Sequence, residues 1–454
     1  MDNIDINNLN YISKKLVDSA KHIWENLDKK HQQYLMKIID DIINILDKKK
    51  YFSGNNFITS PDSFTLVEDV ECSVTEMGVI DNSKSIIKQF NQSKKYELEF
   101  NKKKVIVTIY HNNEDNPTIL KKNIDKIMVR LYNLFILYKD KHTQENMFSF
   151  NLLEYEYIFY LYNNPRRVNR NMSGKEYLQS INNSHTKCFN TASGVTELRK
   201  QIIRTSRIED CLGLLTHEVL HGCGLINIRD SELISHGIKV NFTEAFVNMF
   251  AAILHVYLTC IEYNTMENIR DYLLIELIHS INHTIKYCIV QDISITSLFQ
   301  TKQTLHQDVY MYEYIVVKML LFINFKDITN KEFGNMFLSL NKPWISTKLT
   351  KYIQDKFLEY NKLSDIIKQI DSIHREYLKK LNESNKIDGN MIMSYHAIDT
   401  MLIEPVKEIK QLYGGGNRSN EEVNRNKYIK YKNKYVTLRK QSNIFNNILE
   451  NRKM

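Results

Sequence analysis

Apolar residues at Leu16, Ile23, Leu27, Leu35, Ile38, Ile42 and Leu46 recur at mostly helical intervals, which predicts helix over residues 5–48. The pattern changes after about residue 51. YELEF (96–100) and VIVTIYH (105–111) flank the polar NKKK, and this predicts a β-hairpin. A helix is expected over 118–139, and the aromatic-rich FSFNLLEYEYIFYLY (148–162) predicts one or two more strands. Beyond NNPRR come a polar stretch, a short helix opened by Ser173 and a third β-like piece, KQIIRTS (200–206). Helices are then expected from about Ile208 to Gly222, over 242–263 and 266–289, and almost continuously from 308 to 412. YGGGN (413–417) breaks the chain before its tail, and no internal repeat is visible. The order predicts an α+β protein: a small mixed sheet followed by a mostly helical second half. The expected divisions are a helical segment 1–50, a unit 51–300 holding the sheet, a helical unit 301–412 and a hinge with a basic tail, 413–454.

Composition adds limits. A length of 454 residues exceeds one ordinary core and suggests two or three packed units. The 13 Gly and 5 Pro are too few for a loop-rich all-β fold. Six cysteines are scattered without paired spacing, which points to a reducing compartment. The start, MDNIDINNLN, has no basic or apolar run of a signal peptide, and stretches such as YIVVKMLLFI (314–323) fall short of a membrane span. A soluble, intracellular, non-secreted protein with no membrane partner is expected. The net charge of +8 is uneven: residues 416–454 hold ten Lys and Arg against three Glu, a net of +7. The body is nearly neutral and needs no polyanion partner.

The chemistry concentrates in LLTHEVLHGCGL (214–225). Histidines four apart lie on one helical face about 40° apart, one turn from each other. That spacing suits His217 and His221 as two ligands of one tetrahedral Zn2+. Glu218, beside the first ligand, can reach a zinc-bound water and act as general base. Ile208, Cys211 or Leu212, Leu215, Val219 and Gly222 form an apolar or small stripe, with Asp210, His217 and His221 on another face. The helix is therefore expected to bury one side and present its polar side. The competing reading is a chance pair of histidines.

Zinc needs a third protein ligand. The run from His217 resembles the metzincin pattern as far as Gly224, but the third-ligand position is Asn227, a poor zinc ligand. Glu244 in NFTEAFVNMFAAIL (241–254) lies 23 residues past His221 on a second helix. This is similar to the gluzincin superfamily, in which HExxH is followed by a glutamate ligand on a downstream helix. In that superfamily an acid four residues further on commonly orients a zinc-bound histidine. Here the position is Asn248, whose amide oxygen can accept the imidazole proton. A second role is open to Glu244, a capping box with Asn241. The resemblance covers roughly 205–255 and implies a zinc metallopeptidase that hydrolyses peptide bonds.

Other candidates follow from that reading. An oxyanion donor is required, and MIMSYHAI (391–398) offers Tyr395 and His396, with His236 as a further option. CFNTASGV (188–195) loosely resembles the Asn-Ala edge segment of thermolysin-like gluzincins, so Asn190 and Ala192 are the candidate substrate contacts. His279 and His283 form a second pair without an adjacent glutamate, and a core helix is the expected explanation.

In the tail, Tyr428, Tyr431, Tyr435 and Leu438 share a helical face flanked by Lys427, Lys430, Lys434 and Arg439. This pattern suits nucleic acid or an acidic partner. The tail and the Asn/Ile/Lys/Tyr bias resemble proteins of mimivirus-like giant DNA viruses, which implies a viral, virion-associated or host-cytoplasmic protein. The rival to the peptidase is thus a non-catalytic virion protein working through residues 417–454.

Overall fold

Helix α1 (Tyr11–Asn26) and helix α2 (Lys29–Lys48) replace the single helix expected over 5–48. The break has a local cause. Asp28 Oδ1 accepts hydrogen bonds from the main-chain N–H of His31 at 2.9 Å and from its ring Nδ1 at 2.7 Å. Asp28 therefore caps a new helix start instead of continuing the old one.

The computed structural model describes residues 11–48, 56–60, 64–71, 90–112, 115–138, 151–161, 194–206, 208, 210–223, 234–235, 238–239, 242–291, 293–299, 312–328 and 365–384. Residues 1–382 and 389–402 form one compact unit, and of the second unit only Glu383 and Ser384 are described.

The sheet is built from β1 (Phe64–Glu71), β2 (Gln92–Phe100), β3 (Lys103–His111), β4 (Glu156–Tyr160), β5 (Gly194–Glu197) and β6 (Ile202–Thr205). Its order is β1-β2-β3-β4-β6-β5. The β2–β3 hairpin pairs Phe100 with Lys103 and Gln92 with His111, so both strands run longer than expected. Its turn sets Asn101 and Lys102 at positive φ. Strands β3, β4 and β6 are parallel, whereas β1, β2 and the last strand, β5, pair antiparallel with their neighbours. The mixed sheet and its helices make the fold α+β, as expected.

Alternation places Val105, Val107 and Ile109 of β3, Tyr157 and Phe159 of β4, and Ile203 of β6 in the core. Helix α3 (Pro117–Tyr138) crosses between β3 and β4. Within the described part of the aromatic stretch 148–162, residues 151–161, there is one strand, β4. A 3-10 turn, Leu152–Glu154, precedes it, capped by Asn151 through its bond from Leu153 N–H.

The helical half begins with α4 (Cys211–Gly222), preceding the short β7 (Ile234–Ser235) and β8 (Ile238–Lys239). Helix α5 (Phe242–Glu262) and helix α6 (Ile269–Gln291) follow. Then come a π-turn (Glu313–Val317), α7 (Lys318–Ile323), α8 (Phe325–Ile328) and α9 (Asp365–Ser384). Residues 244–262 of α5 are long and apolar enough to cross a membrane, but 89% of the most apolar window is buried in the protein. Helices α1 and α2 pack on α6, so the N-terminal segment shares one hydrophobic core with the sheet and the later helices. His279 and His283 sit inside α6, both buried, with ring centroids 4.0 Å apart.

Candidate metal centre

Helix α4 packs between β5 and β6 on one side and α3 and α5 on the other. The expectation of one buried and one open side is corrected here. Leu212, Leu215 and Val219 are buried, but so are Asp210, His217 and Glu218 on the other faces. The polar residues are therefore desolvated, because α5 and the edge of the sheet cover them. The far end of α4 is anchored by Tyr155, whose hydroxyl donates to the Gly222 carbonyl at 3.1 Å.

His217 and His221, one turn apart, bring their Nε2 atoms to 3.1 Å. Glu244, in the first turn of α5, completes a triangle: its Oε2 lies 3.4 Å from His217 Nε2 and 3.5 Å from His221 Nε2. The edges of a tetrahedron with ligands at about 2.0–2.1 Å are about 3.3 Å long. The three atoms thus already stand at the mutual distances that one tetrahedral ion requires, and two imidazoles with a carboxylate suit a divalent transition metal. His217, His221 and Glu244 can hold a metal ion.

Charge supports the same grouping. Burial alone would raise the Glu244 carboxyl, but hydrogen bonds and charge from His217 and His221 outweigh it and hold the group well below the usual carboxylate range. Burial favours neutral His221, yet the Glu244 hydrogen bond, with the charges of Glu244 and Glu218, raises its pKa. The Glu244 carboxylate is turned to the histidines; Asn241, its proposed capping partner, lies outside the described residues.

Glu218 is held elsewhere. The Thr196 hydroxyl of β5 lies 2.7 Å from Glu218 Oε2 and 2.9 Å from its main-chain oxygen, so its proton serves both acceptors. Across from Gly194 of the same strand, the carboxylate sits so close that a Cβ there would fall 2.4 Å from Oε1 and 2.8 Å from Cγ. Only glycine permits that approach. Burial pushes the Glu218 carboxyl up; the nearby histidines and Thr196 oppose the shift without cancelling it. The site therefore separates three converging side-chain atoms, of His217, His221 and Glu244, from one carboxylate fixed to strand β5.

Asn248 is buried, and its amide nitrogen donates to the main-chain carbonyl of Tyr314 at 2.9 Å. The described contact is thus to the π-turn, where the sequence suggested an imidazole. Asn190, Ala192, Asn227, His236, Tyr395, His396 and the tail 417–454 lie outside the described residues.

Four contributors escaped the sequence reading. Gly194 and Thr196 sit in a four-residue strand too short for a visible alternation. Tyr314, whose hydroxyl donates to Glu244 Oε2 at 2.9 Å, is one of many tyrosines in a helical stretch. Arg130 did leave a signal, a lone charge inside the apolar run IMVRLYNLF of α3. It is fully buried and bonds Glu262 through Nε at 2.7 Å and Nη2 at 2.8 Å. The same guanidinium reaches Thr259 at 2.9 Å and His255 Nδ1 at 2.6 Å on α5, and Thr216 at 3.3 Å on α4. It rivets together the two helices that carry His217, His221 and Glu244.

No protein-family model, no curated protein and no solved structure matches this chain.

Proposed function

We propose that this chain is a zinc-dependent metallopeptidase of gluzincin type. The observation that carries the reading is the division of labour at the site. His217 Nε2, His221 Nε2 and Glu244 Oε2 converge within 3.5 Å of one another, while Glu218 is held by Thr196 on the sheet edge. Zinc, when bound by these three residues, supplies a Lewis acid and lowers the pKa of a water towards about 7.

The chain's own groups do the rest. Glu218 accepts a proton from the attacking water at Oε1, the oxygen that Thr196 does not engage, and returns it to the leaving amine. Its burial raises its basicity for that task. Strand β5, last in the six-stranded order, offers main-chain groups on which an extended peptide can be added as a further strand beside α4. A polypeptide is the substrate class that such an edge selects.

Glu218→Gln tests the assignment. The variant is expected to keep its metal and lose hydrolysis of a mixed peptide library, whereas His221→Ala loses both. Undiminished hydrolysis in Glu218→Gln would rule the mechanism out.

A further inference from the structure

The helical stretch from Tyr312 to Ile323 is interrupted by the π-turn Glu313–Val317. A π-turn re-aims the side chains around it and is frequent at functional sites. Here Tyr312, Glu313, Ile315 and Val316 are buried, and Tyr314 alone among these neighbours reaches the metal centre. Its hydroxyl donates to Glu244 Oε2 at 2.9 Å, and its ring meets the His217 ring edge-on, centroids 5.8 Å apart. Asn248, one turn beyond Glu244 on α5, holds the Tyr314 carbonyl at 2.9 Å. The side chain and main chain of Tyr314 are therefore both tied to the helix that supplies the third ligand.

We propose that Tyr314 is a positioning residue for the metal ligand Glu244, presented by the π-turn and locked by Asn248. The proposal rests on the metal-centre reading above. The oxygen that accepts the phenol proton is the same Oε2 that faces both imidazoles. A carboxylate oxygen has two lone-pair directions. The phenol occupies one, which leaves the other for an ion and keeps the carboxylate from rotating away. A neutral donor does this without adding charge beside the ligands. Loss of such an outer partner typically weakens metal binding by about 10–100-fold.

The test is Tyr314→Phe, which keeps the ring. Zinc and cobalt dissociation constants are measured by competition with a chromophoric chelator, with the visible bands of the cobalt-loaded protein and the melting temperature of the metal-free protein. The expected result is metal binding weaker by about 10–100-fold and altered cobalt bands, at an unchanged metal-free melting temperature. Wild-type affinity and bands in the variant would overturn this inference alone. So would a melting temperature that falls together with the affinity, since Tyr314 would then be structural. A wild type that takes up no metal overturns the metal centre and this inference together.

Discussion

Replacing Gly194 by alanine puts one methyl group against the base. The new Cβ would lie 2.4 Å from Glu218 Oε1, 2.8 Å from Cγ and 2.9 Å from Cδ. Ordinary contact begins about 1 Å further out, near 3.4 Å or more. Because Cγ is involved, swinging the carboxylate alone does not relieve the overlap. If Glu218 retreats, it abandons the 2.7 Å bond from Thr196 inside a buried site, at a cost of about 1–3 kcal/mol. If β5 retreats from α4 instead, overpacking costs about 1–3 kcal/mol. Either route changes the spacing between the base and strand β5 by about 1 Å, enough for a loss on the order of 100-fold in turnover. The ligands lie elsewhere, so metal content should not change. The assay combines hydrolysis of quenched fluorescent peptides, metal per chain and denaturant unfolding. Adding Glu218→Ala, which removes Cγ, Cδ and Oε1 together, should recover part of the lost stability, with a coupling of more than about 0.5 kcal/mol. A Gly194→Ala protein with wild-type turnover and stability would refute the reasoning.

Two further outcomes follow from the buried polar groups. Arg130→Met should destabilise the protein by about 3–5 kcal/mol in denaturant unfolding, because it strands the Glu262 carboxylate, whose side chain is 6% exposed; a loss under about 1 kcal/mol contradicts the bracing role. His374 is buried, and burial pushes its pKa below the ordinary 6.5, with Asp371 opposing and Arg375 assisting. Its folded pKa is then below its unfolded one, so its contribution is intact above about pH 6.5 and is lost as pH falls through the depressed value. His374→Leu should accordingly flatten the stability loss between about pH 7.5 and 5.5, and an unchanged slope would refute this.

The parts of the site that were legible in the sequence are those set by local spacing. His217 and His221 share a face because helices repeat every 3.6 residues, and α4 ends at Gly222 as the pattern predicts. Glu244 was legible as a candidate because its helix is long and apolar, and the structure sets its carboxylate against both histidines. The hairpin and the paired long helices α5 and α6 were legible for the same local reasons. What stayed hidden depends on partners distant in sequence. Strand β1, mostly exposed, carries no clean alternation and is defined by its pairing with β2. Gly194 and Thr196 acquire meaning only when β5 is laid against α4, and Tyr314 only when the π-turn turns it towards a residue 70 positions away. The break at Asp28 was readable from its capping side chain, but the apolar periodicity running through it concealed the stop.

Zinc per chain, measured by elemental analysis of purified wild type and His221→Ala, tests the central claim most directly. The account predicts about one zinc per wild-type chain and its loss in the variant. A well-folded wild type that holds no zinc and cannot be reloaded would contradict it.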